Sequence, residues 1–584
     1  MTITKMIHKT HKTNLRQTGK VLFSLFLALA CSHSIAIAQN TIEPMIKSSW
    51  HQVKPFNNDC PEGTVAGCGS IAVGQIMNYH RTLQHGFGRA TYNTGNTLVD
   101  VDFDSMSFDW PNIRDTYQSE NSDAEKTAVA SLVHQVGAAM RILYGTSSPT
   151  SDYASMMWGL QHYLHFSPTS RFRRRLYYST AQWIEMLDKE LQNNQPVLYN
   201  GYHTQPDAEP AGHFFIIDGK NEDGNYHFNY GQTDPQYNKF TDLNIINQGN
   251  GIWPGQYSVS YHHRQAMVTD FYQVDGLTDA DYDPTAIVLN TPIVLEKQAD
   301  AKTVTVKNKV HAQFMFRYAN FTTSDIQFSI GFYQQGTLKA VSETIRTTTP
   351  RVGGSPVAVG RDFRLPKDLP DGDYDICIVS RINEQYPWTR GWDNAPNRIP
   401  VTVNHDEFTF TLPDYHSSDA SLFLTDNGIT EVETPETTGK IFELTVWNIS
   451  DNNFEDSIRF VLSSGGTSYS QSMPTSIYDG QKVTYRFFVP YNQINDLGDY
   501  TTMVYHKETS TGNWMLLQEY ISNVHQPQLD SFSGIEIYNI NGILVNRINK
   551  SDIGSTYAKI LGYLPKGIFI IRDKDGTRKY IKRQ

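Results

Sequence analysis

The chain has 584 residues, more than one hydrophobic core usually holds, so we expect three or four domains. Hydrophobic residues make up 39% of the sequence and charged residues 19%, which is typical of a globular protein. The net charge of -11 comes without a long basic run, and this balance argues against nucleic acid as a partner.

Residues 1–39 are predicted to be a signal peptide. Lysines and arginines precede the apolar run 21–30, and Ala36-Ile37-Ala38 supplies the small residues of a cleavage site. Cys31 offers a lipoprotein site as an alternative. No other stretch of the sequence has the 18 apolar residues that a membrane-spanning helix needs. We therefore expect an exported protein whose mature chain begins near Gln39.

Residues 40–280 combine helical and strand patterns. Apolar residues four positions apart predict a helix over 124–142, and a second helix is predicted over 181–192, before Asn and Pro stop signals. Strand patterns then follow at 197–199, 212–219 and 226–231. Helices followed by an antiparallel sheet predict an α+β domain.

Residues 281–405 and 406–524 are predicted to form two immunoglobulin-like β-sandwich domains. Short alternating strands separated by Gly, Pro, Asn and Asp turns run through both. The segment 369–374 recurs as 495–500, and in each copy a Gly-Asp-Tyr is followed by a tryptophan at the same distance. The offset between the two copies fits one sandwich domain.

Residues 525–584 are predicted to form a separate small β-sandwich with tight Asn541-Gly542 and Asp575-Gly576 turns. Together with Leu564-Pro565, these turns resemble the C-terminal sorting domain of proteins exported by the bacterial type IX secretion system. The resemblance implies an outer-membrane secretion machinery as partner. It also implies a protein that is secreted or attached to the outer cell surface of a Gram-negative bacterium. One more adhesive β module is the alternative.

Cys68 is the strongest candidate for a nucleophile. It follows Gly67 and precedes apolar residues at near-helical spacing, so we expect it in the first turn of a buried helix. The unpaired N–H groups and the dipole of such a helix favour the thiolate, which is the reactive form. Two alternatives remain: a small buried hydrophobic residue, or a Cys60–Cys68 disulfide that would remove the nucleophile. Because only Cys377 accompanies these two after the signal peptide, at least one thiol is free.

A thiol nucleophile needs a base. His213 begins an apolar strand and lies downstream of Cys68 at a distance that suits papain-like enzymes. His80 and His227 compete for the role, but His80 lies on the predicted helix of Cys68, three turns away and out of reach.

The base needs an orienting group, and the developing oxyanion needs donors. Asn229 lies on the predicted neighbouring strand and could accept from the far imidazole nitrogen of His213. Gln52 could present its side-chain N–H groups beside the backbone N–H of Cys68. Asn229 is therefore a candidate orienter and Gln52 a candidate oxyanion donor, while a solvated glutamine before a turn is the alternative for Gln52.

These residues, in this order, resemble the streptopain family of papain-like cysteine peptidases over most of residues 50–275. The matching positions include Trp50, Gln52, Pro55, Phe56, Asn57, Cys60, Pro61, Gly67, Cys68, Ala72, Gln75, Ile76, Met77, Tyr79, His80, Gly212, His213, Asp218, Gly219, Tyr226, Phe228 and Asn229. The resemblance implies a papain-like fold, endopeptidase activity on protein or peptide substrates, and no cofactor. It also implies Cys68 as nucleophile and His213 as base, with Gln52 and Asn229 in the roles given above.

The chain departs from the family pattern in three places. Gly69-Ser70 stands where the family has Val-Ala, and Tyr230 to Asp234 replaces Trp-Gly-Trp-Gly-Gly. Only a short segment separates the predicted mature start from Trp50, so we expect no N-terminal propeptide. Latency would then come from a separate protein inhibitor or from β modules that fold over the cleft.

Other chemistry finds little support in the sequence. Asp100, Asp102 and Asp104 alternate like calcium ligands but lack the turn glycine and closing glutamate of an EF-hand, which favours a polar strand face. No zinc spacing of Cys and His occurs, so no metal is expected. The fold class predicted is an α+β papain-like catalytic domain, followed by all-β immunoglobulin-like sandwiches and a small C-terminal β-sandwich. The function predicted is a secreted cysteine endopeptidase; the alternative is a catalytically inactive surface or adhesive protein on a peptidase scaffold.

Overall fold

The structure is a computed structural model. It describes residues 41–145, 153–233, 235–243, 260–278, 281, 287–289, 292–295, 303–307, 311–319, 325–349, 357–393, 397–405, 407–412, 420, 422–432, 438–464, 467–494, 499–507, 512–520, 535–539, 544–548, 567–573 and 576–582. The predicted signal peptide lies outside the described residues. Among these residues, no helix is long and apolar enough to cross a membrane.

The helices of the described residues lie mainly in the N-terminal part of the chain: α1 (Cys68–His80), α2 (Asp123–Ala139), α3 (Tyr153–Leu164), α4 (Thr180–Gln192) and the single turn α5 (Tyr491–Ile494). Ser122 and Ser179 begin α2 and α4, and each forms a capping box with the residue three positions later. The two helices predicted from apolar periodicity are thus confirmed, with slightly different bounds.

A hairpin and a six-stranded antiparallel sheet complete this unit. The strands are β1 (Arg89–Thr94), β2 (Thr97–Asp102), β3 (Arg171–Arg174), β4 (Val197–His203), β5 (Ala211–Lys220), β6 (Tyr226–Asn229), β7 (Lys239–Thr241) and β8 (His263–Thr269). The sheet order is β3-β8-β4-β5-β6-β7. Strand β5 pairs with β4 from its first residue but with β6 only from Ile216 onward. The start of β5, where His213 lies, therefore keeps one free edge.

The two faces of this sheet bury different cores. On one face, Leu198 and Ile216 belong to a core shared with α1, α2 and α3. On the other face, Tyr199 and Phe215 pack with Trp183 of α4. This alternation of buried residues along β4 and β5 is what a sheet covered on both sides requires. Strand β5 is in contact with α1. Its free edge lies beside the start of this helix, where the Phe214 N–H donates to the Cys68 sulfur.

The next part of the chain is all β. Its strands are β9 (Val288–Leu289), β10 (Val294–Leu295), β11 (Thr303–Lys307), β12 (His311–Ala319), β13 (Ile326–Gln334), β14 (Thr337–Val341), β15 (Arg346–Thr348), β16 (Val357–Arg364), β17 (Gly372–Arg381), β18 (Thr389–Arg390), β19 (Trp392–Asp393), β20 (Ile399–Asn404) and β21 (Glu407–Thr411). They form a five-stranded and an eight-stranded sheet around one core. Tyr374 is buried, and its hydroxyl donates to the Pro370 carbonyl at 2.9 Å, the contact of a tyrosine corner.

A second β unit comprises β22 (Leu422–Val432), β23 (Gly439–Asn448), β24 (Phe454–Ser464), β25 (Thr467–Ile477), β26 (Lys482–Pro490), β27 (Thr501–Lys507) and β28 (Trp514–Tyr520). Sheets β22-β23-β26 and β25-β24-β27-β28 share one core. Tyr500, the repeat counterpart of Tyr374, accepts from Lys440 at 3.3 Å. The immunoglobulin-like topology and the domain boundaries of both units stay predictions.

The C-terminal strands are β29 (Ile535–Asn539), β30 (Leu544–Ile548), β31 (Gly567–Asp573) and β32 (Gly576–Lys582), in the order β30-β29-β31-β32. They form one antiparallel sheet. The Asn541-Gly542 and Leu564-Pro565 signals lie outside the described residues, so the sorting-domain interpretation remains a prediction.

Candidate active site

Cys68 is the first residue of α1, as its sequence context predicts. Gly67 precedes it with φ 92°, a conformation that favours glycine, and its carbonyl accepts from the Ile71 N–H at 3.2 Å. The first N–H groups of a helix have no partner within the helix. They place positive potential at the Cys68 sulfur, which favours the thiolate.

The turn that follows Cys68 is tightly packed. A Cβ atom at Gly69 would lie 2.5 Å from the terminal methyl of Met140 and 3.6 Å from the Phe214 ring. Gly69 and Ser70 are both buried. Glycine at this position therefore makes room for the Met140 side chain, which comes from the C-terminal end of α2.

His213 lies at the start of β5, opposite Gly201 of β4. Its side chain is buried, and its Nε2 atom lies 2.8 Å from the backbone carbonyl oxygen of Tyr230. Because a carbonyl only accepts, Nε2 carries the proton in this bond. The Nδ1 atom is then the nitrogen left for Cys68, with which the His213 side chain interacts.

Cys68 and His213 interact with each other, and the interaction shifts the pKa of both groups. Burial by itself would raise the pKa of the Cys68 thiol. The charge and hydrogen bond of His213 and the N–H groups of Phe214 and Gly69 outweigh that effect, so the pKa is lowered. The Phe214 N–H donates directly to Sγ at 3.3 Å. Burial would lower the pKa of His213, but the Cys68 charge and the bonds to Cys68 and Tyr230 raise it.

Aromatic rings enclose the His213 side chain. The Tyr261 ring lies 5.1 Å from the imidazole between centroids, at an interplanar angle of 25°. Tyr230 is fully buried and packs against Phe215 and Tyr261 at 5.2 and 6.0 Å. These apolar faces limit the access of water to the imidazole. Tyr261 was not singled out from the sequence, because it carries no motif signal.

Asn229 lies near the site, but its side chain does not make the bond predicted for it. The amide nitrogen donates to the Ser48 carbonyl at 3.0 Å, and the amide oxygen accepts from the Gly231 N–H at 3.1 Å. The orienting acceptor of His213 is the carbonyl of the next residue, Tyr230. Asn229 thus shapes the turn that presents this carbonyl. Its assignment as a site residue stays a prediction, with an indirect role in place of the direct one.

Gln75 of α1 connects this turn to the segment before the helix. Its side-chain oxygen accepts from the Trp50 N–H at 3.2 Å, and its amide group faces that of Asn229 at 3.4–3.5 Å. The Gln75 side chain is completely buried. A single glutamine therefore holds together α1, the turn after β6 and the segment that leads to Gln52.

The backbone of Gln52 lies near Cys68. Its carbonyl accepts from the Ala66 N–H at 3.0 Å, two residues before Cys68. This places the residue beside the N-terminus of α1. The role of its side chain as oxyanion donor stays a prediction.

The two other candidate histidines, His80 and His227, are not paired with Cys68. His227 Nδ1 lies 2.6 Å from Asp218 Oδ1, and the other carboxylate oxygen of Asp218 accepts from the Ile46 N–H at 2.7 Å. His80 lies at the far end of α1 from Cys68. Of the three candidates, His213 is the histidine paired with the thiol.

The disulfide alternative is not realised, because Cys60, Cys68 and Cys377 are all free. Burial raises the pKa of Cys60 to about 11, so this thiol is unreactive at neutral pH. No cluster of His, Cys, Asp or Glu suited to a metal occurs among the described residues. Asp100 lies on β2 and pairs with Arg89, 2.7 Å from its Nε, as expected of a polar strand face.

The Peptidase C10 family model matches residues 50–239. Streptopain from Streptococcus pyogenes serotype M28 is 28% identical over 201 residues, which are 33% of this chain and 48% of streptopain. The thiol protease/hemagglutinin PrtT from Porphyromonas gingivalis is 23% identical over 435 residues, 71% of this chain and 46% of PrtT. The chain thus spans about half the length of the curated relatives it matches.

A solved structure with similarity is active wild-type interpain A, a cysteine protease from Prevotella intermedia. It is 27% identical and has a TM-score of 0.37, with coverage of 40% of this chain and 95% of interpain A. Residues 50–239, which carry Cys68, His213, Gln52 and Asn229, are a domain of the Peptidase C10, or streptopain, family.

Proposed function

We propose that the chain is a cysteine endopeptidase with Cys68 as nucleophile and His213 as base. The observation that carries this proposal is the contact between partly exposed Cys68, at the start of α1, and buried His213, with the Phe214 N–H on Sγ at 3.3 Å. Opposed pKa shifts, lowered for the thiol and raised for the imidazole, support a zwitterion ready to attack. The Peptidase C10 match and the thiol protease relatives support peptide bonds as the substrate class.

In the first half of the reaction, the Cys68 thiolate attacks the carbonyl carbon of a peptide bond and forms a C–S bond. The oxyanion is stabilised by the backbone N–H of Cys68 and by the side-chain amide of Gln52. Loss of one such donor typically raises the barrier by about 2.7 to 4 kcal/mol. His213 then gives its proton to the leaving amine as the C–N bond breaks.

In the second half, the neutral His213 takes a proton from water, which attacks the thioester carbon. The new C–O bond forms, the C–S bond breaks, and the acid product leaves. This returns the thiolate and the imidazolium. The bond from Nε2 to the Tyr230 carbonyl keeps the ring facing Cys68 through both proton transfers.

Active-site labelling tests the proposal. Iodoacetamide at about pH 6 should label Cys68 more than about 100-fold faster than Cys60, whose buried thiol has almost no thiolate there. His213→Ala should abolish the advantage, and Cys68→Ala should abolish peptide hydrolysis. Equal rates at the two cysteines of the unmodified protein would identify an inactive scaffold instead.

A binding function of the β units is a second candidate that can coexist with catalysis. PrtT is named as a thiol protease and hemagglutinin, and its match extends over 71% of this chain. Agglutination of erythrocytes by the Cys68→Ala protein would test this function, because the variant separates adhesion from proteolysis. Agglutination equal to that of buffer alone would exclude it.

We also propose export by a cleaved signal peptide at residues 1–39, and sorting by residues 525–584 to the cell surface or the medium. The signal-peptide pattern and the Asn-Gly, Leu-Pro and Asp-Gly signals support this. N-terminal sequencing of the exported protein should begin near Gln39. Deletion of 525–584 should leave the protein in the periplasm. Its normal release after that deletion would refute the sorting role.

A further inference from the structure

We infer that the second β unit, strands β22–β28 and their connections, is a positioning part of the catalytic centre. We call it the docking module, defined as the described residues within 422–520. It holds two chain segments that lie next to His213, namely 260–265 and the loop 204–210. The inference rests on the proposed peptidase function, because the centre that it positions is the Cys68–His213 pair.

The first segment is held residue by residue. Thr475 Oγ1 lies 3.1 Å from His262 Nε2, and Ser476 Oγ lies 2.9 Å from His263 Nδ1. The same serine oxygen accepts from the Arg264 N–H at 3.1 Å, and the Tyr478 hydroxyl accepts from the Gln265 N–H at 2.9 Å. Three buried hydroxyl groups of the docking module thus bind four consecutive residues.

Tyr261 connects the anchored residues to His213. It directly precedes the four anchored residues, and its ring packs on His213 at 5.1 Å. On its other side, its carbonyl lies so close to Gly201 that any side chain there would overlap it. Gly201 is the register partner of His213. The position of Tyr261, and with it one wall of the imidazole, therefore depends on the segment that the docking module holds.

The second segment leads into β5. The Asp207 N–H donates to the Ser472 carbonyl at 2.7 Å, and the Ser472 N–H donates back to Asp207 Oδ1 at 3.0 Å. This loop ends at Ala211, the first residue of β5, so its anchor lies a few residues from His213. The Ser260 N–H donates to Nδ1 of His203, the last residue before this loop, at 3.3 Å. Both segments meet the docking module at β25 and at Tyr478, the residue that follows this strand.

Further polar contacts between the two units are buried or half-buried. Asn453 Nδ2 lies within 2.8–3.2 Å of the carbonyl oxygens of Arg175, Leu176 and Tyr178. Asp479 Oδ1 accepts from the Thr180 N–H at 2.7 Å. Separation of the two units would break all of these hydrogen bonds. The docking module is therefore a fixed support of the peptidase unit.

The test removes the three anchoring hydroxyl groups and keeps the side-chain volumes, in the variant Thr475→Val/Ser476→Ala/Tyr478→Phe. Its control is Thr445→Val, which removes a hydroxyl bonded to Thr484 at 2.8 Å on the exposed face of the same module. We expect the triple variant to lower both kcat/KM and the rate of Cys68 alkylation by about tenfold or more, since small displacements of catalytic groups are costly. The control should leave both rates within about twofold.

A second variant tests the inference even if the triple variant does not fold. Asp207 is exposed, so Asp207→Ala removes an anchor without opening a core. It should slow alkylation by about threefold or more, whereas Asp207→Asn, which keeps the acceptor oxygen, should restore the wild-type rate. Wild-type rates in a folded triple variant, or in Asp207→Ala if the triple variant does not fold, overturn the inference. If Cys68 of the wild-type protein reacts no faster than Cys60, the proposed peptidase itself fails, which is a distinct result.

Discussion

The Nε2 atom of His213 donates a hydrogen bond to the backbone carbonyl of Tyr230 at 2.8 Å. A carbonyl oxygen cannot donate, so the bond fixes the proton on Nε2 and turns Nδ1 towards Cys68. A side-chain substitution cannot delete a backbone acceptor. The orientation of the base therefore depends on the turn that follows β6, and on the residues that hold this turn in place.

Asn229→Ala should impair catalysis much less than His213→Ala. The Asn229 amide binds Ser48 and Gly231, so its loss loosens the turn but leaves the Tyr230 carbonyl in the chain. We expect kcat to fall by about tenfold, against at least about 1000-fold for His213→Ala. The free energy of unfolding should fall by about 1–3 kcal/mol, because buried partners are left unpaired.

The control for Asn229 is Tyr230→Phe. This change keeps the backbone carbonyl and the packing, and it removes a buried hydroxyl that has no hydrogen-bond partner among the described residues. Activity should stay within about twofold and stability should not decrease. Steady-state kinetics and urea unfolding measure both variants. An Asn229→Ala protein as inactive as His213→Ala would show that the amide orients the base directly.

The reactivity of Cys68 and the rate of peptide hydrolysis should depend on pH in different ways. The pKa of Cys68 is lowered mainly by His213 against the effect of burial, and that of His213 is raised by Cys68. Alkylation should therefore persist at a lower pH than that of an ordinary thiol and decline on further acidification, as the thiolate is protonated. Peptide hydrolysis should also decline at alkaline pH, where His213 loses the proton that the leaving amine needs.

His213→Ala removes the cation that stabilises the thiolate. The alkylation profile of Cys68 should then move to higher pH, because the opposing effect of burial remains. Stopped-flow alkylation between pH 4 and 10 measures the shift, at fixed ionic strength. An unchanged profile would mean that the helix terminus and the Phe214 N–H suffice to ionise the thiol.

The sequence alone identifies the pair at the centre of this site but not what surrounds it. Cys68 and His213 carry recognisable local patterns, a helix start after glycine and an apolar strand. The Tyr230 carbonyl carries none, because every residue has one, and so the sequence favours the Asn229 amide beside it. The sequence also does not predict the contacts of β25 with residues 260–265. Serine and threonine on a strand are usually interpreted as solvent-exposed side chains.

Gly69→Val should destabilise the protein through Met140. The added side chain would overlap the Met140 methyl, which a Cβ alone would approach to 2.5 Å. Both residues are buried, so we expect a loss of about 1–3 kcal/mol. In a Met140→Ala background the same change should cost clearly less, because the space is then free. Urea unfolding of the four proteins in a double-mutant cycle measures this coupling. Additive effects would show that the two side chains do not compete for one space.

Arg175→Ala should weaken the contact between the peptidase unit and the docking module. The Arg175 side chain is fully buried, its guanidinium lies 4.2 Å from the Tyr478 ring centroid, and its Nη1 donates to Gln265 Oε1 at 2.7 Å. A desolvated cation–π contact contributes about 2 kcal/mol or more, and the buried Gln265 oxygen would also lose a donor. We expect a loss of at least about 2 kcal/mol in unfolding free energy.

Arg175→Lys should recover little of this free energy, because an ammonium cannot stack on the Tyr478 ring and reach Gln265 at the same time. Calorimetry of the full chain tests this, with Arg398→Ala as control, because Arg398 is exposed and pairs with the Asp375 carboxylate on the surface. If Arg175→Ala unfolds at the same temperature as this control, the buried arginine does not hold the two units together.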